Sequence, residues 1–220
     1  MPTGEPTPMP TPVPAITEAL SELYHATGGS YSWYTKTNWM SGFPCTSSWY
    51  GVVCDDEDYT RTRPDCVNEA TKENIPCDRR VVSINLEANR LTHFLPSEIG
   101  QFTTLTAGFY LDGNSLTGTI PTEIGRLTKL SQSLWAHSNQ FTGPIPSEVG
   151  EIRHLTAQLY LHGNALSKAV PTELGRLENI TAQFLLDSNS LTSTIPTQLG
   201  LLQQITKQFQ LASNELTSAI

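Results

Sequence analysis

The strongest constraint in this chain is a spacing. An Asn recurs at positions 89, 114, 139, 164, 189 and 214, each 25 residues after the last. Around it the same frame returns. "INLEANRLTHFLPSEIG" begins at Ile84, "FYLDGNSLTGTIPTEIG" at Phe109 and "LWAHSNQFTGPIPSEVG" at Leu134. "LYLHGNALSKAVPTELG" follows from Leu159, "FLLDSNSLTSTIPTQLG" from Phe184 and "FQLASNELTSAI" from Phe209. A unit of that length cannot bury its own apolar face, so neighbouring units must stack. The period therefore predicts a solenoid in which residues 25 apart lie side by side.

Within a unit the apolar letters alternate. In "VVSINLEAN" from Val81, Ile84 and Leu86 point inward while Asn85 and Glu87 point out, as in a short strand. The recurring Asn sits where that strand turns, and its amide can bond backbone groups of adjacent coils that form no regular ladder. In "LTGTIP" a second strand is expected, with Leu116 and Ile120 in and Thr117 and Thr119 out. Pro121 ends it, because proline has no N–H to donate. "TEIG" then reads as a short helical turn, capped by Thr122, with Glu123 at its positive end and Gly125 closing it. In the unit from Leu134, the residues Leu134, Asn139, Phe141, Ile145, Pro146, Val149 and Gly150 are scaffold, and Trp135 and His137 are left over.

The same left-over slots, taken coil by coil, form columns about 4.8 Å apart. One column is Asn85, Tyr110, Trp135, Tyr160, Leu185 and Gln210; two residues on runs Glu87, Asp112, His137, His162, Asp187 and Ala212. Two residues before runs Ser83, Gly108, Ser133, Gln158, Gln183 and Gln208. An aromatic stripe beside Asp-His-His-Asp is what recognition surfaces use. The candidate ligand-binding residues are therefore Tyr110, Asp112, Trp135, His137, Tyr160, His162, Leu185 and Asp187. The two His with Asp112 or Asp187 could in principle ligate a metal, but an open face produces such rows readily, and no metal or cofactor is expected. Nor is a catalytic residue: there is no GxSxG, HExxH or phosphate-cradling loop, and Glu87 and Asp112 read as solvated strand positions.

The remainder divides into a Pro/Thr-rich tail or linker at 1–14, an N-terminal cap at 15–80, and about five and a half repeats at 81–220. In the cap, Ile16, Ala19, Leu20, Leu23 and Tyr24 share one helical face, and Gly28-Gly29 stops that helix. Trp33, Trp39 and Trp49 are expected to be cap core. All four cysteines, Cys45, Cys54, Cys66 and Cys77, precede the repeats. An even number confined to one cap points to two disulfides and an oxidising compartment. Three pairings are open, of which Cys45–Cys54 with Cys66–Cys77 joins nearest neighbours. A formal charge of −8 with 15% charged residues disfavours nucleic acid and anionic membrane surfaces. A membrane could be reached only through segments outside this chain. The "NIT" at Asn179 is a glycosylation sequon. The last unit, with Leu211, Leu216 and Ile220, shows no polar cap, so self-association at that end is expected.

Two signatures, "LTGTIPTEIGRL" and "FTGPIPSEVG", together with the "PCTSSWYGVVCD" cap, resemble plant-type extracellular leucine-rich repeat proteins. The helix with "ATGGSYSW" resembles caps on leucine-rich repeat proteins of microbial eukaryotes. The resemblance implies an α/β solenoid: a right-handed, curved stack with a parallel concave sheet and an N-terminal helical, disulfide-bonded cap. It implies an extracellular or cell-surface, non-catalytic recognition module, a receptor ectodomain or secreted protein, binding a peptide, protein or glycan on its concave face. That family also contains inhibitors of cell-wall hydrolases and ice-binding proteins. For ice binding the candidate face is Thr117, Thr119, Thr142, Thr192 and Thr194. One departure stands out. Each unit from Leu105 carries an extra residue before its strand, as in "LTAGFYL" and "LSQSLWA", and a bulge is expected there. Mass spectrometry of the unreduced protein should find no alkylatable thiol. Four reactive thiols would exclude the disulfide cap and the oxidising compartment together.

Overall fold

The computed structural model describes residues 15–41, 44, 49–55 and 80–217. The 1–14 tail, Cys45, Cys66, Cys77, residues 56–79 of the polar insert and Ile220 lie outside these residues. The alternation in each coil produces two strands. The first set is Val81–Asn85, Gly108–Tyr110, Ser133–Trp135, Gln158–Tyr160, Gln183–Leu185 and Gln208–Gln210. The second is Thr92–Phe94, Ser115–Gly118, Gln140–Gly143, Ala165–Ala169, Ser190–Thr194 and Glu215–Thr217. Each set forms its own parallel sheet, and Val52–Cys54 adds an antiparallel edge strand to the first at Val81–Asn85. Between the sheets run the fully buried residues Leu86, Leu91, Phe109, Leu116, Phe141, Leu166 and Phe184.

The recurring Asn closes each coil. Asn139 Oδ1 accepts from the Leu116 N–H at 3.0 Å, and its Nδ2 donates to the carbonyls of Leu111, Ala136 and His137. Asn114, Asn164, Asn189 and Asn214 repeat the pattern. The residue before each Asn is left-handed: Ala88, Gly113, Ser138, Gly163, Ser188 and Ser213 all have positive φ. At the start of the stack Asn89 turns to the cap, accepting from Thr35 N–H at 2.6 Å and donating to the Thr35 carbonyl.

Curvature follows from register. In the first sheet equivalent residues are partners: Leu134 pairs with Phe109 and with Leu159. In the second sheet Phe94 pairs with Thr117, Gly118 with Phe141 and Thr192 with Glu215, so the partners are 23 apart. Equivalent residues there are displaced two positions along the strand. They therefore lie about 8 Å apart, against about 4.8 Å in the first sheet. The stack is wider on the second side and bends with the first sheet inside. The extra residue appears as a local irregularity before each concave strand, where two successive N–H groups share one carbonyl. Gln132 and Ser133 both donate to Ala107, and Ala182 and Gln183 both donate to Ala157. Since every such coil does the same, register is kept.

The cap helix, Ala15–Ala26, buries Ala19, Leu20, Leu23 and Tyr24 and packs against the turn at Ser97–Gln101. Trp33, Trp39 and Trp49 are core, as expected, and each indole N–H reaches a carbonyl, of Thr27, Tyr50 and Ser41 respectively.

Two details differ from expectation. Each of the five described turns after a second strand is a 3₁₀ helix, and Thr122 does not cap its own. Pro121 holds the cap position, and the Thr122 hydroxyl meets Glu123 instead. Gly125 does not close the turn either. It lies inside it, and a Cβ there would sit 2.5 Å from the Glu148 carbonyl oxygen of the next coil. Gly150 and Gly175 abut Glu173 and Gln198 in the same way, whereas Gly200 has nothing within 4 Å. The frame glycine is thus a stacking requirement. Gly150→Ala should cost about 1–3 kcal/mol through backbone overlap, and Asn139→Ala a similar amount through orphaned backbone groups. Gly200→Ala should stay within about 0.5 kcal/mol of the parent. Chemical denaturation of the three variants checks the ranking.

Candidate functional site

Period-two alternation brings three columns to the concave face, and the 25-residue register sets their members side by side. In the middle column the Tyr110 and Trp135 rings meet edge-on at 4.8 Å. Trp135 and Tyr160 stack at 5.3 Å with planes 12° apart. Gly108 makes room for Tyr110: a Cβ there would lie 2.2 Å from the Tyr110 ring. In the neighbouring column His137 stacks on Tyr160 at 5.5 Å and meets His162 edge-on at 4.4 Å. His137 Nδ1 lies 3.8 Å from Asp112 Oδ2.

The third column is a side-chain ladder. Ser133 donates to Gln158 Oε1, Gln158 Nε2 donates to Gln183 Oε1, and Gln183 Nε2 donates to Gln208 Oε1. The Tyr160 hydroxyl joins it through Gln158 and Gln183. Identical amides at identical spacing were visible in the sequence, but their bonding needed the register. A second ladder was missed altogether. Ser131, Thr156, Thr181 and Thr206 each donate a hydroxyl to the preceding coil's carbonyl. Its only sequence signal is Ser or Thr recurring at 25-residue spacing.

Three expectations need correction. Trp135 and His137 are not open positions: both are half-buried, because the rings cover one another. Asp112 is not solvated, being only 4% exposed, and Leu185 is buried. The consequence is a group of polar atoms enclosed without a hydrogen-bond partner: Asp112 Oδ1, Trp135 Nε1, His137 Nδ1, His162 Nδ1 and Asp187 Oδ1. All five belong to the two columns picked out by the sequence. Burial raises the Asp112 pKa above 3.8, opposed by His137 and its own backbone N–H and reinforced by Glu87. Burial lowers that of His162 below 6.5, as does His137, while Asp187 opposes the shift. Burial alone raises that of Tyr160.

The other candidates lie apart from this patch. Thr117, Thr142 and Thr194 are exposed on the second sheet, Thr192 is half-exposed there and Thr119 is exposed just past its strand, but the two-residue stagger spreads these positions apart. Thr117 also spends its hydroxyl on the His93 carbonyl. Within these strands His93, Gly118, Gly143, Lys168 and Ser193 are left-handed, a break that simple alternation does not show. Asn179 is exposed beyond the convex turn, with Nδ2 on the Arg153 carbonyl. Cys54, the one cysteine among the described residues, is disulfide-bonded. Among those residues no three His, Cys, Asp or Glu side chains converge as a metal site, and no helix is long and apolar enough to cross a membrane.

Asn-closed coils, paired parallel sheets and a Trp-filled cap give this chain a leucine-rich repeat fold, built like plant receptor ectodomains. Residues 108–127 match the Leucine Rich Repeat family model. No curated protein matches the chain in sequence. Among solved structures it is similar to the ectodomain of the receptor kinase SOBIR1 from Arabidopsis thaliana, at 21% identity and TM-score 0.67, over 93% of this chain and 96% of that one. A chain in the BIR3–SERK2 complex from Arabidopsis thaliana is 26% identical, with TM-score 0.63, over 90% and 93%. A plant ice-binding protein is 22% identical, with TM-score 0.63, over 93% of this chain and 64% of its own.

The buried carboxyl has a thermodynamic signature. A folded-state pKa above the unfolded value makes Asp112 a cost once pH exceeds that value. Asp112→Asn should therefore melt higher than the parent at pH 7.5, and the gap should close as pH falls below about 4. His162 has the opposite sign. Its lowered pKa costs stability as pH drops through 6.5, and His162→Gln should flatten that decline. Melting curves between pH 3 and 8 read both effects.

Proposed function

We propose that this chain is a non-catalytic extracellular recognition module whose concave patch takes a peptide or protein segment. The observation that carries this reading is the set of five enclosed, unpartnered polar atoms among half-buried rings. Elsewhere among the described residues the buried side-chain polar atoms find partners coil after coil. Leaving five unpaired in one patch costs stability, unless a ligand supplies the missing partners. The residues are Tyr110, Asp112, Trp135, His137, Tyr160, His162 and Asp187, with the Gln158–Gln183 amides along one side. The cysteine-bearing cap and the sequon at Asn179 support an extracellular setting.

Ring orientation favours a peptide or protein over a glycan. Trp135, His137 and Tyr160 lie within 16° of parallel and turn their faces toward each other, so ring edges, not a flat stacking surface, meet the solvent. The similar chain in the BIR3–SERK2 structure belongs to a protein complex, which agrees with this reading. The Thr-rich second sheet is a weaker candidate, because its columns are staggered and interrupted by Phe94, Pro144 and Ala169. No feature of the geometry favours inhibition of a cell-wall hydrolase.

A peptide library and a glycan array probed with the whole chain test the reading. Trp135→Ala should weaken a selected peptide by about 30-fold, corresponding to about 2 kcal/mol. Thr117→Val and Thr142→Val should leave it unchanged. Ligands that respond only to the Thr variants, or thermal hysteresis without any ligand, would move the function to the second sheet.

A further inference from the structure

The charge along the site column is not uniform. Glu87 and Asp112 stand at one end and Asp187 at the other, with His137 and His162 between them. Among the described residues no Lys or Arg ion-pairs with Glu87, Asp112 or Asp187. Asp112 is 4% exposed and Asp187 half-exposed, and each holds one carboxylate oxygen enclosed without a donor. A carboxylate oxygen accepts only, so what is missing at each end is a donor, and a cationic one bonds it most strongly.

Spacing narrows the ligand further. The register keeps Asp112, His137, His162 and Asp187 on consecutive coils: Gly113 N–H bonds the His137 carbonyl, Ser138 the His162 carbonyl and Gly163 the Asp187 carbonyl. The two carboxylates are thus three coils, or about 14 Å, apart. An extended peptide advances about 3.4 Å per residue and turns alternate side chains to one side. Residues four apart therefore share a face and span the same distance. The residue midway between them shares that face too. Resting on the concave-face reading above, we infer that the patch recognises an extended peptide with two Lys or Arg side chains four residues apart. One reaches Asp112 and the other Asp187, and the middle side chain lies over the His137–His162 pair.

Calorimetry of the whole chain at physiological salt, with acetylated and amidated Gly/Ser heptapeptides, tests this. The Lys pair is placed at the second and sixth positions, or at the second and fourth, and a third peptide carries Glu at the second and sixth. The four-residue spacing should bind about tenfold tighter than the two-residue spacing of equal charge, and the Glu peptide should not bind. Asp112→Asn and Asp187→Asn should each remove the spacing preference. Asp187, being half-exposed, serves as the control should Asp112→Asn alter the fold. Equal affinities at both spacings, preference for Glu, no binding of any Lys peptide, or equal displacement by spermine would each overturn the inference. In those cases the concave reading itself survives if another library peptide still loses affinity with Trp135→Ala. It falls as well if binding ignores that substitution.

Discussion

Everything in this molecule depends on how a coil without continuous secondary structure satisfies its backbone. At each turn out of the concave strand a short run of N–H and C=O groups has no ladder partner. One Asn side chain per coil supplies the acceptor and the donors they lack, and does so across two coils at once. That bridging ties the turn of one unit to the turn of the next, so the repeat cannot drift by a residue without orphaning several buried groups. The tight register of the concave sheet, and with it every column on its surface, follows from that bond.

The columns have unequal fates. Where Ser and Gln recur, side chains of one coil bond those of the next and the ladder closes on itself. Where Trp, Tyr and His recur, rings pack along the stack and enclose atoms that want partners. Asp112 is the clearest case, a carboxyl taken out of water by the rings beside it and left with an unfilled acceptor. Such a group lowers the stability of the unliganded fold and raises the affinity for whatever restores its bond. Under the proposed reading, the same enclosure that makes the patch costly would make it selective, since a ligand would have to present donors at set spacings.

The two faces of the solenoid differ for a geometric reason. A stack that bends must space its outer strands more widely than its inner ones, yet hydrogen bonding keeps adjacent strands about 4.8 Å apart. The second sheet resolves this by staggering partners two residues per coil, with a left-handed residue at Gly118 and its equivalents. Concave columns are therefore continuous, and columns on the other sheet are not. A ligand that reads a repeat across several coils finds continuous columns of side chains only on the inside.

The period alone established the solenoid, because a unit with apolar letters at fixed 25-residue spacing can only bury them against its own copies. Alternation around Ile84 and Leu86 named the inward residues, and the left-over letters named the columns proposed as the site, since period two leaves no other place for them. Tertiary structure decided the rest. That Trp135 and His137 are half-buried, and Asp112 almost wholly so, depends on ring orientations across neighbouring coils, which no single unit encodes. That the frame Gly125 serves stacking, and not termination of a turn, depends on the carbonyl of a residue 23 positions later. The two-residue stagger of the second sheet depends on curvature, a property of the whole stack. Sequence determined which residues face out. Only packing between coils determined which of them are left with a bond to make.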